Sequence, residues 1–426
     1  MISSAVEHCL HTAGVTCSIH VSPTIPDPLQ ALPAGGFCFA RAGGQALLPA
    51  PAAAAPRPQS GFLPARRKAA VIIYHNPSHR LHAPVHEFFR GERVPCFEKP
   101  DRADYVEARL RRQGYALRAP DTDSQAVLAR VHAPRYLRFL QDAWPQWLSL
   151  DERNAGVQPF PSVWPVRTLR DDVEPENFVA RLGLYSMDNG SPLSEGTWAA
   201  AKAGADAAAS AAAAVAAGAR AAFCCTRPPG HHAGPDFMGG YCFLNNAAVA
   251  AQWLLDAGTA RRVAVLDVDY HHGNGTQSIF YDRSDVMCIS IHGDPRTEYP
   301  FYLGHADETG AGPGAGFNFN IPLPAGTAFP DWLGALDRAC ARVEECGAQA
   351  LVVPLGLDTF EGDPISRFTL SSPDFIEVGA RLAGLGLPTV FVLEGGYAAA
   401  ELGVNAVNVL EGFERVAGGA GPKGRP

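Results

Sequence analysis

The sequence lacks the features that would assign it to several common classes of protein. No run of basic residues is dense enough to predict nucleic-acid binding, because 43 Asp and Glu outnumber 35 Lys and Arg and give a net charge of −8. The longest apolar stretch, residues 198–223, is mostly alanine and is interrupted by Lys202, Asp206 and Arg220, so it predicts a helix rather than a membrane span. No charged segment followed by an apolar one marks a secretory signal at the N-terminus. We therefore expect neither nucleic acid nor a membrane as a partner.

The cysteines also lack a pattern, since the ten of them form no CxxC pair and no short, regular framework. Cys224 and Cys225 are adjacent inside an apolar run, and Cys242 and Cys288 also have apolar neighbours. This usage is typical of buried, reduced thiols. We expect a reducing compartment and a cytoplasmic location.

Composition divides the chain into parts. Residues 1–68 are rich in Pro and Ala without sustained periodicity, which predicts a disordered or low-complexity extension; a structured accessory domain is the alternative. Residues 69–417 are predicted to form one domain, and residues 418–426 a flexible tail. Within the domain, residues from about 150 to 195 are rich in Pro, Asn, Asp and Arg, so we predict an inserted surface loop region of a kind that is often functional.

Short apolar segments alternate with helical ones from residue 69 onwards. The predicted strands are Ala69–Tyr74, Ala221–Cys225, Val263–Val268, Met287–Ile291, Ala350–Leu355 and Thr389–Leu393. The predicted helices are Trp198–Ala217, Asn246–Ala257 and Trp332–Glu345, each soon followed by a glycine. Buried strands that alternate with helices predict an α/β fold with a mostly parallel sheet covered by helices on both faces.

The chemically distinctive residues follow these predicted strands. They are His231 and His232 after the second strand, Asp269 and His271 after the third, Asp358 after the fifth and Tyr397 after the sixth. In parallel α/β sheets the carboxyl ends of the strands line the active-site crevice. Four such ends can converge on one pocket, although the residues are far apart in the chain.

Asp269 and His271 have the spacing of paired metal ligands. Residues i and i+2 of an extended segment point to the same side, so both side chains can bind one ion. Asp358, which follows the fifth predicted strand, is the natural third ligand. Two carboxylates and one imidazole leave a position open on Zn²⁺, which is typical of a catalytic site. The alternative is a solvated acidic turn with ordinary surface histidines.

His231, His232 and Tyr397 supply the remaining chemistry. Adjacent imidazoles after a Pro-Pro-Gly turn suit proton transfer near neutral pH. Tyr397 follows Gly395-Gly396 and can donate a hydrogen bond to a developing oxyanion, although such a turn by itself would be structural.

Four further histidines are predicted to carry no main function, and a weaker role at the pocket entrance is the alternative. His75, His79, His82 and His86 have helical spacing, but Pro77 and Pro84 argue against a helix. We interpret this segment as a loop with solvated or rim histidines.

Five motifs resemble, in order, those of the histone deacetylase superfamily. They are Arg227-Pro-Pro-Gly-His-His, Gly239-Gly-Tyr-Cys-Phe-Leu-Asn-Asn, Asp267-Val-Asp-Tyr-His-His-Gly-Asn-Gly, Leu355-Gly-Leu-Asp-Thr and Glu394-Gly-Gly-Tyr. The resemblance covers residues 69–415. Trp164-Pro-Val-Arg167 and His292-Gly-Asp-Pro295, with other segments, resemble most the bacterial acetylpolyamine amidohydrolases of this superfamily. The resemblance implies a single deacetylase domain of the arginase/deacetylase fold.

The resemblance also implies roles for individual residues. Asp269, His271 and Asp358 would bind one Zn²⁺. His232 would be the general base and acid, His231 its electrostatic neighbour and Tyr397 the group that polarises the acetyl carbonyl. Asp267 would orient His231, and Asn274 would orient His232.

Two further sites follow from the same resemblance. A structural K⁺ would be bound by Asp267, Asp269, Ser290 and the carbonyl groups of His271 and Ile291. Gly240, Tyr241 and Tyr299 would form the walls of a narrow acyl tunnel.

The expected reaction is zinc-dependent hydrolysis of N-acetyl amides of small amines, chiefly acetylpolyamines, by a homodimer joined through the insertion. Fe²⁺ or Co²⁺ would also fit the metal site. The alternatives are a protein acetyl-lysine deacetylase of the same family, an arginase-like ureohydrolase with two Mn²⁺, and a non-catalytic acyl-binding module. Intact His231, His232 and Tyr397 argue against the last.

The sequence departs from the family's polyamine-binding pattern in the insertion. The two loop glutamates of polyamine-binding members fall at Val179 and Gly190, and Ile365 offers no carboxylate at the rim. Substitutes within reach in the sequence are Asp188, Glu176 and Glu174.

Overall fold

The computed structural model describes residues 71–89 and 91–419. Their centre is an eight-stranded sheet in the order β4-β1-β5-β10-β9-β6-β7-β8, in which every neighbouring pair is parallel. A separate antiparallel pair is formed by β2 and β3. The strands are β1 (Ile72–His75), β2 (His86–Phe89), β3 (Glu92–Pro95), β4 (Leu117–Arg118), β5 (Ala221–Cys225), β6 (Val263–Asp267), β7 (Val286–Gly293), β8 (Asn318–Leu323), β9 (Ala350–Leu355) and β10 (Thr389–Leu393).

Helices follow most of these strands. They are α1 (Asp101–Arg112), α2 (Gln125–Val131), α3 (Pro134–Leu150), α4 (Phe178–Leu184), α5 (Thr197–Ala216), α6 (Asn246–Asp256), α7 (Asn274–Phe280), α8 (Phe329–Glu345), α9 (Asp374–Gly384) and α10 (Ala399–Ala417). Short 3₁₀ helices span His79–Leu81, Glu152–Gly156 and Gly312–Gly314. Within the described part of the chain, no helix is long and apolar enough to cross a membrane.

Both faces of the sheet are buried. Alternate residues of β10 enter different cores, with Phe391 on one side and Val390 and Val392 on the other. The first core includes residues of α1, α8, α9 and α10, and the second includes residues of α2 to α6. The predicted α/β fold with a mostly parallel, doubly covered sheet is confirmed.

The alanine-rich helix α5 shows why the second face packs closely. Alanine has the highest helix propensity, and its small side chain lets the helix backbone approach the sheet. Twelve of its residues are buried. The helix ends before Gly218, whose φ of +101° is accessible to glycine at little cost.

The inserted region combines short helices with irregular backbone. It contains the 3₁₀ helix Glu152–Gly156 and helix α4, whereas residues 157–177 form neither helix nor strand. Large apolar side chains are exposed in this region: Val157, Val163, Trp164, Val166, Leu169 and Val173.

Two of the predicted domain boundaries, at residues 68 and 417, lie close to the first and last residues that the structure describes. The predicted extension, residues 1–68, lies outside the described residues. Of the predicted tail, only Gly418 and Gly419 are described, in a turn after α10.

Candidate active site

Four neighbouring strands bring the predicted site residues together. In the sheet order, β5, β10, β9 and β6 are consecutive, so their carboxyl ends lie side by side. His231 and His232 follow β5, Tyr397 follows β10, Asp358 follows β9, and β6 leads into Asp269. The crevice at this edge of the sheet therefore contains the site residues that follow all four strands.

The three predicted metal ligands converge on one point. One ligand atom from each of Asp269, His271 and Asp358 lies within 4.8 Å of the others, and all three residues are buried. Nδ1 of His271 is 2.9 Å from Oδ2 of Asp358 and 3.3 Å from Oδ1 of Asp269. The second Asp269 oxygen accepts a hydrogen bond from the Gly395 amide, and the second Asp358 oxygen accepts one from the Tyr270 amide. Backbone donors thus orient both carboxylates toward the shared point.

The electrostatics of this cluster favour a bound cation. Burial, followed by the charge of Asp269, raises the pKa of Asp358 above the usual range of an aspartate. Two adjacent buried carboxylates repel each other unless a positive charge lies between them. Two carboxylates with one imidazole are a set that Zn²⁺ accepts, so the residues present fit the metal.

A second group of potential donors lies nearby. Atoms of His231, Cys242 and Glu394 are also within 4.8 Å of one another. Two members already have protein partners, because His231 contacts Asp267 and one Glu394 oxygen accepts two amide hydrogen bonds. We expect the metal at the first group.

The two predicted histidines differ in their hydrogen-bond partners. Nδ1 of His231 is 3.0 Å from Oδ2 of Asp267, and Nδ1 of His232 is 2.7 Å from Oδ1 of Asn274. The rings are 4.0 Å apart between centroids. Because an amide oxygen only accepts, Nδ1 of His232 carries the proton and Nε2 is the free basic atom. The predicted pairings with Asp267 and Asn274 are present.

Tyr397 is held in place through both its backbone amide and its ring. Its backbone amide donates to Asp363, 2.7 Å away, and its ring is 5.6 Å from that of Tyr241. The Arg102 guanidinium lies 4.7 Å from the ring centroid and donates to the carbonyl groups of Glu394 and Gly396. Burial raises the pKa of Tyr397 well above its usual value, so its hydroxyl keeps the proton it would donate.

Sequence reasoning missed Glu394 and Arg102. Oε2 of Glu394 accepts from the amides of Gly230 and His231, at 2.6 and 3.1 Å, and so fixes the turn that carries both histidines. Arg102 forms a buried ion pair with Glu98 at 3.0 Å. The presence of Glu394 directly before Gly395-Gly396 was the one available signal, whereas nothing near Arg102 in the sequence indicates its contact with residues almost 300 positions away.

The site lies in a cleft of about 810 Å³ that also includes the predicted tunnel residues Gly240, Tyr241 and Tyr299. The Tyr299 ring is 5.0 Å from the His232 ring, in an edge-on arrangement. A Cβ atom on Gly240 would lie 2.4 Å from Cδ2 of His232, and its φ is +52°. The sequence therefore needs glycine at this position.

The candidate acidic residues of the insertion are placed differently. Asp188 lines the cleft, together with Gly190 and Ile365. Glu174 and Glu176 are exposed and are not among the lining residues.

The predicted potassium ligands Asp267 and Ser290 are directly paired between β6 and β7. Both border a cavity of about 10 Å³, which is close to the space that one water-sized occupant requires. Ile291 is the next residue of β7, and Asp269 and His271 follow β6.

Comparison with known proteins gives the family. A family model described as a histone deacetylase domain matches residues 96–413. The chain is 52% identical over 347 residues to acetylpolyamine amidohydrolase 2 of Pseudomonas aeruginosa, covering 81% of this chain and 99% of that protein. It is 44% identical to the acetylpolyamine amidohydrolase of Mycoplana ramosa, with 80% and 98% covered.

A solved structure agrees. The crystal structure of acetylpolyamine aminohydrolase from Burkholderia pseudomallei matches with a TM-score of 0.78 at 39% identity, covering 82% of this chain and 99% of that chain. The chain belongs to the histone deacetylase family. The resemblance of its motifs to bacterial acetylpolyamine amidohydrolases is confirmed.

Proposed function

We propose that this chain is a zinc-dependent deacetylase that hydrolyses N-acetyl amides of small amines, chiefly acetylpolyamines, to acetate and the free amine. It is an enzyme of the hydrolase class, as its family implies. The observation that carries the proposal is that His232, Tyr397 and His271 line one cleft, and that His271 also belongs to a buried group of three metal donors.

Asp269, His271 and Asp358 would hold the zinc ion. When bound, Zn²⁺ polarises the acetyl carbonyl and lowers the pKa of a water molecule to about 7. The three protein ligands leave the coordination position that this chemistry needs. The backbone hydrogen bonds to both carboxylates keep the donors in place.

His232 moves the protons. Its free Nε2 accepts a proton from the attacking water and returns it to the departing amine nitrogen. Asn274 fixes the tautomer, and His231, held by Asp267, supplies positive charge beside the reacting atoms. Tyr397 donates its hydroxyl hydrogen to the oxygen that becomes negatively charged as the tetrahedral intermediate forms.

Small acetylated amines are the favoured substrates because the similar proteins of Pseudomonas aeruginosa and Mycoplana ramosa are named acetylpolyamine amidohydrolases. The alternative, acetyl-lysine in proteins, needs the same chemistry and a cleft open to a folded protein. The experiment compares kcat/KM for acetylputrescine with that for an acetyl-lysine peptide. We expect acetylputrescine to be preferred; a tenfold preference for the peptide would contradict the polyamine assignment and leave the deacetylase chemistry intact.

The insertion supports a homodimer. Its exposed valines, Trp164 and Leu169 offer apolar surface that an interface would bury. We expect a dimer by sedimentation or light scattering, and a monomer would contradict this part of the proposal. A structural K⁺ bound by Asp267, Asp269, Ser290 and the carbonyl groups of His271 and Ile291, and a cytoplasmic location, remain predictions from the sequence.

Two other functions fit less well. An arginase-like ureohydrolase needs two metal ions and further carboxylate ligands, whereas the second donor group has partners within the protein. A non-catalytic acyl-binding module has no use for the His232–Asn274 pair, which prepares a proton-transfer group.

A further inference from the structure

Three carboxylates line the cleft, and they differ in how their charge is balanced. Glu298 pairs with Arg367. Glu87 is buried and accepts hydrogen bonds from the Tyr241 hydroxyl at 3.0 Å and the Phe97 amide at 3.2 Å. Asp188 is only partly buried, so a ligand in the cleft can reach it.

The donors that surround Asp188 are all neutral. Oδ1 accepts from the Gly190 amide at 2.8 Å, and Oδ2 accepts from the Gly240 amide at 3.1 Å and the Tyr299 hydroxyl at 2.6 Å. Among residues 71–89 and 91–419, no Lys or Arg forms an ion pair with it within 4.0 Å. A carboxylate offers about four acceptor positions, so about one remains open.

The carboxylate of Asp188 therefore carries a negative charge in the partly desolvated wall of the cleft without a neighbouring cation. An unpaired charge in such a place is costly, and a cation that arrives with a ligand would offset that cost. The neutral hydrogen bonds fix the carboxylate in position without neutralising it. Asp188 is therefore held ready for a positively charged partner from the cleft.

The distance from the reacting atoms limits what that partner is. Tyr299 lies between the two groups: its ring is 5.0 Å from the His232 ring, and its hydroxyl contacts Asp188. Gly240 also lies between them, because its amide donates to Asp188 and its Cβ position is 2.4 Å from Cδ2 of His232. The carboxylate and the catalytic base are therefore separated by this short part of the cleft wall. A short diamine acetylated at one end spans this path, with its acetyl group at the metal donors.

We propose that Asp188 is a specificity residue that binds the free ammonium group at the far end of a cationic N-acetyl amine. This inference rests on the proposed deacetylase function. It adds the residue that makes the enzyme prefer a charged amine to a neutral one.

The test uses two substrates of equal length that differ in the terminal group, which is an ammonium in N-acetylputrescine and a methyl group in N-pentylacetamide. The purified full-length enzyme should show a kcat/KM at least tenfold higher for the charged substrate. In Asp188→Asn that ratio should fall by about tenfold, the usual value of a charge-assisted hydrogen bond. A general loss of positioning would lower both rates equally and leave the ratio unchanged.

Two variants serve as controls. Tyr299→Phe removes a hydrogen bond to Asp188 but keeps its charge, so the ratio should persist even if both rates fall. Glu87→Gln removes the other unpaired carboxylate of the cleft, and it should also keep the ratio.

Three results would overturn the inference. They are a ratio near one in the unchanged enzyme, a ratio in Asp188→Asn equal to that of the unchanged enzyme, and a loss of the ratio in Glu87→Gln alone. The first result tests the inference even if the Asp188→Asn variant does not fold, because it is measured on the unchanged enzyme. Failure of the unchanged enzyme to hydrolyse either substrate would instead contradict the proposed deacetylase function, and this inference with it.

Discussion

At the scale of single residues, two adjacent histidines acquire different protonation from their surroundings. Burial lowers the pKa of both. In His231 the charges of Asp269 and Asp267 outweigh burial and raise the pKa to about 10. In His232 burial and the positive charge of His231 act in the same direction, so the pKa lies below its usual value. His232 is therefore neutral at physiological pH and able to accept a proton.

The catalytic assignments predict separable losses of activity and metal. Tyr397→Phe should lower kcat by about 10²–10³-fold, the usual cost of one oxyanion donor. His232→Ala should lower it at least as much, because both proton transfers are lost. Metal content, measured by elemental analysis, should be retained in both variants, since neither side chain is among the three donors. Near-normal turnover in either variant would show that its role has been assigned wrongly.

The residues that carry chemistry could be predicted because each lies in a short local motif. His232 follows Pro-Pro-Gly-His, and Asp269 lies two residues from His271. The contacts of Arg102 and Glu394 could not be predicted, although Glu394 begins the fifth motif, since these contacts join distant parts of the chain and depend on the assembled sheet. Asp188 was only one of three candidates until the fold placed it in the cleft.

At the scale of elements, the central strands could be read from their apolar runs. Predicted strands Ala221–Cys225, Ala350–Leu355 and Thr389–Leu393 match β5, β9 and β10 residue for residue. These strands are buried on both faces and so contain few polar residues. The bounds of strand β8, which follows the glycine-rich residues 310–316, were not predicted because Asn318 and Asn320 interrupt its apolar pattern; both donate hydrogen bonds to Gln277.

The histidine-rich segment was interpreted wrongly in part. His79 and His82 are buried, not solvated. The segment forms a 3₁₀ helix between Pro77 and Pro84, and Nδ1 of His82 lies 2.9 Å from the Thr197 hydroxyl. Burial of polar groups against a distant helix is a tertiary effect that local spacing does not reveal.

A prediction at this scale concerns the turn at Gly240, which lies in the second motif and lines the cleft. Gly240→Ala should lower kcat/KM by tenfold or more, because the new methyl group would displace His232 and Tyr299, to which the Cβ position is 2.4 and 3.0 Å. Gly258→Ala is the matched control, since Gly258 also has a positive φ, +67°, but open space around its Cβ position.

The two variants separate conformational strain from contact with the catalytic base. Both should lower the melting temperature, because a non-glycine residue at positive φ costs about 1–2 kcal/mol, and Gly240→Ala should lower it further because its methyl group overlaps His232. Only Gly240→Ala should lose activity. Equal kcat/KM for the two variants would contradict the proposed position of His232 beside this turn.

At the scale of the whole molecule, the share of a relative that this chain covers bears on the role of the N-terminal extension. The matched Pseudomonas aeruginosa protein is covered over 99% of its length by 81% of this chain. Residues 1–68 are rich in Pro and Ala and have no sustained periodicity, so they offer no regular apolar face to pack on the domain. Deletion of residues 1–66 should therefore leave kcat/KM and the melting temperature nearly unchanged. A large fall in either quantity would show that the extension contributes to the domain.

The most direct test of the account measures acetate released from acetylputrescine as the metal is removed and restored. Activity should disappear when a chelator removes the metal and should return in full with about one equivalent of Zn²⁺ per chain. Asp358→Ala should bind no zinc, whereas Cys242→Ser, in the second donor group, should still bind one equivalent. Acetate release that survives complete metal removal, or that needs two equivalents for recovery, would contradict a single-zinc deacetylase.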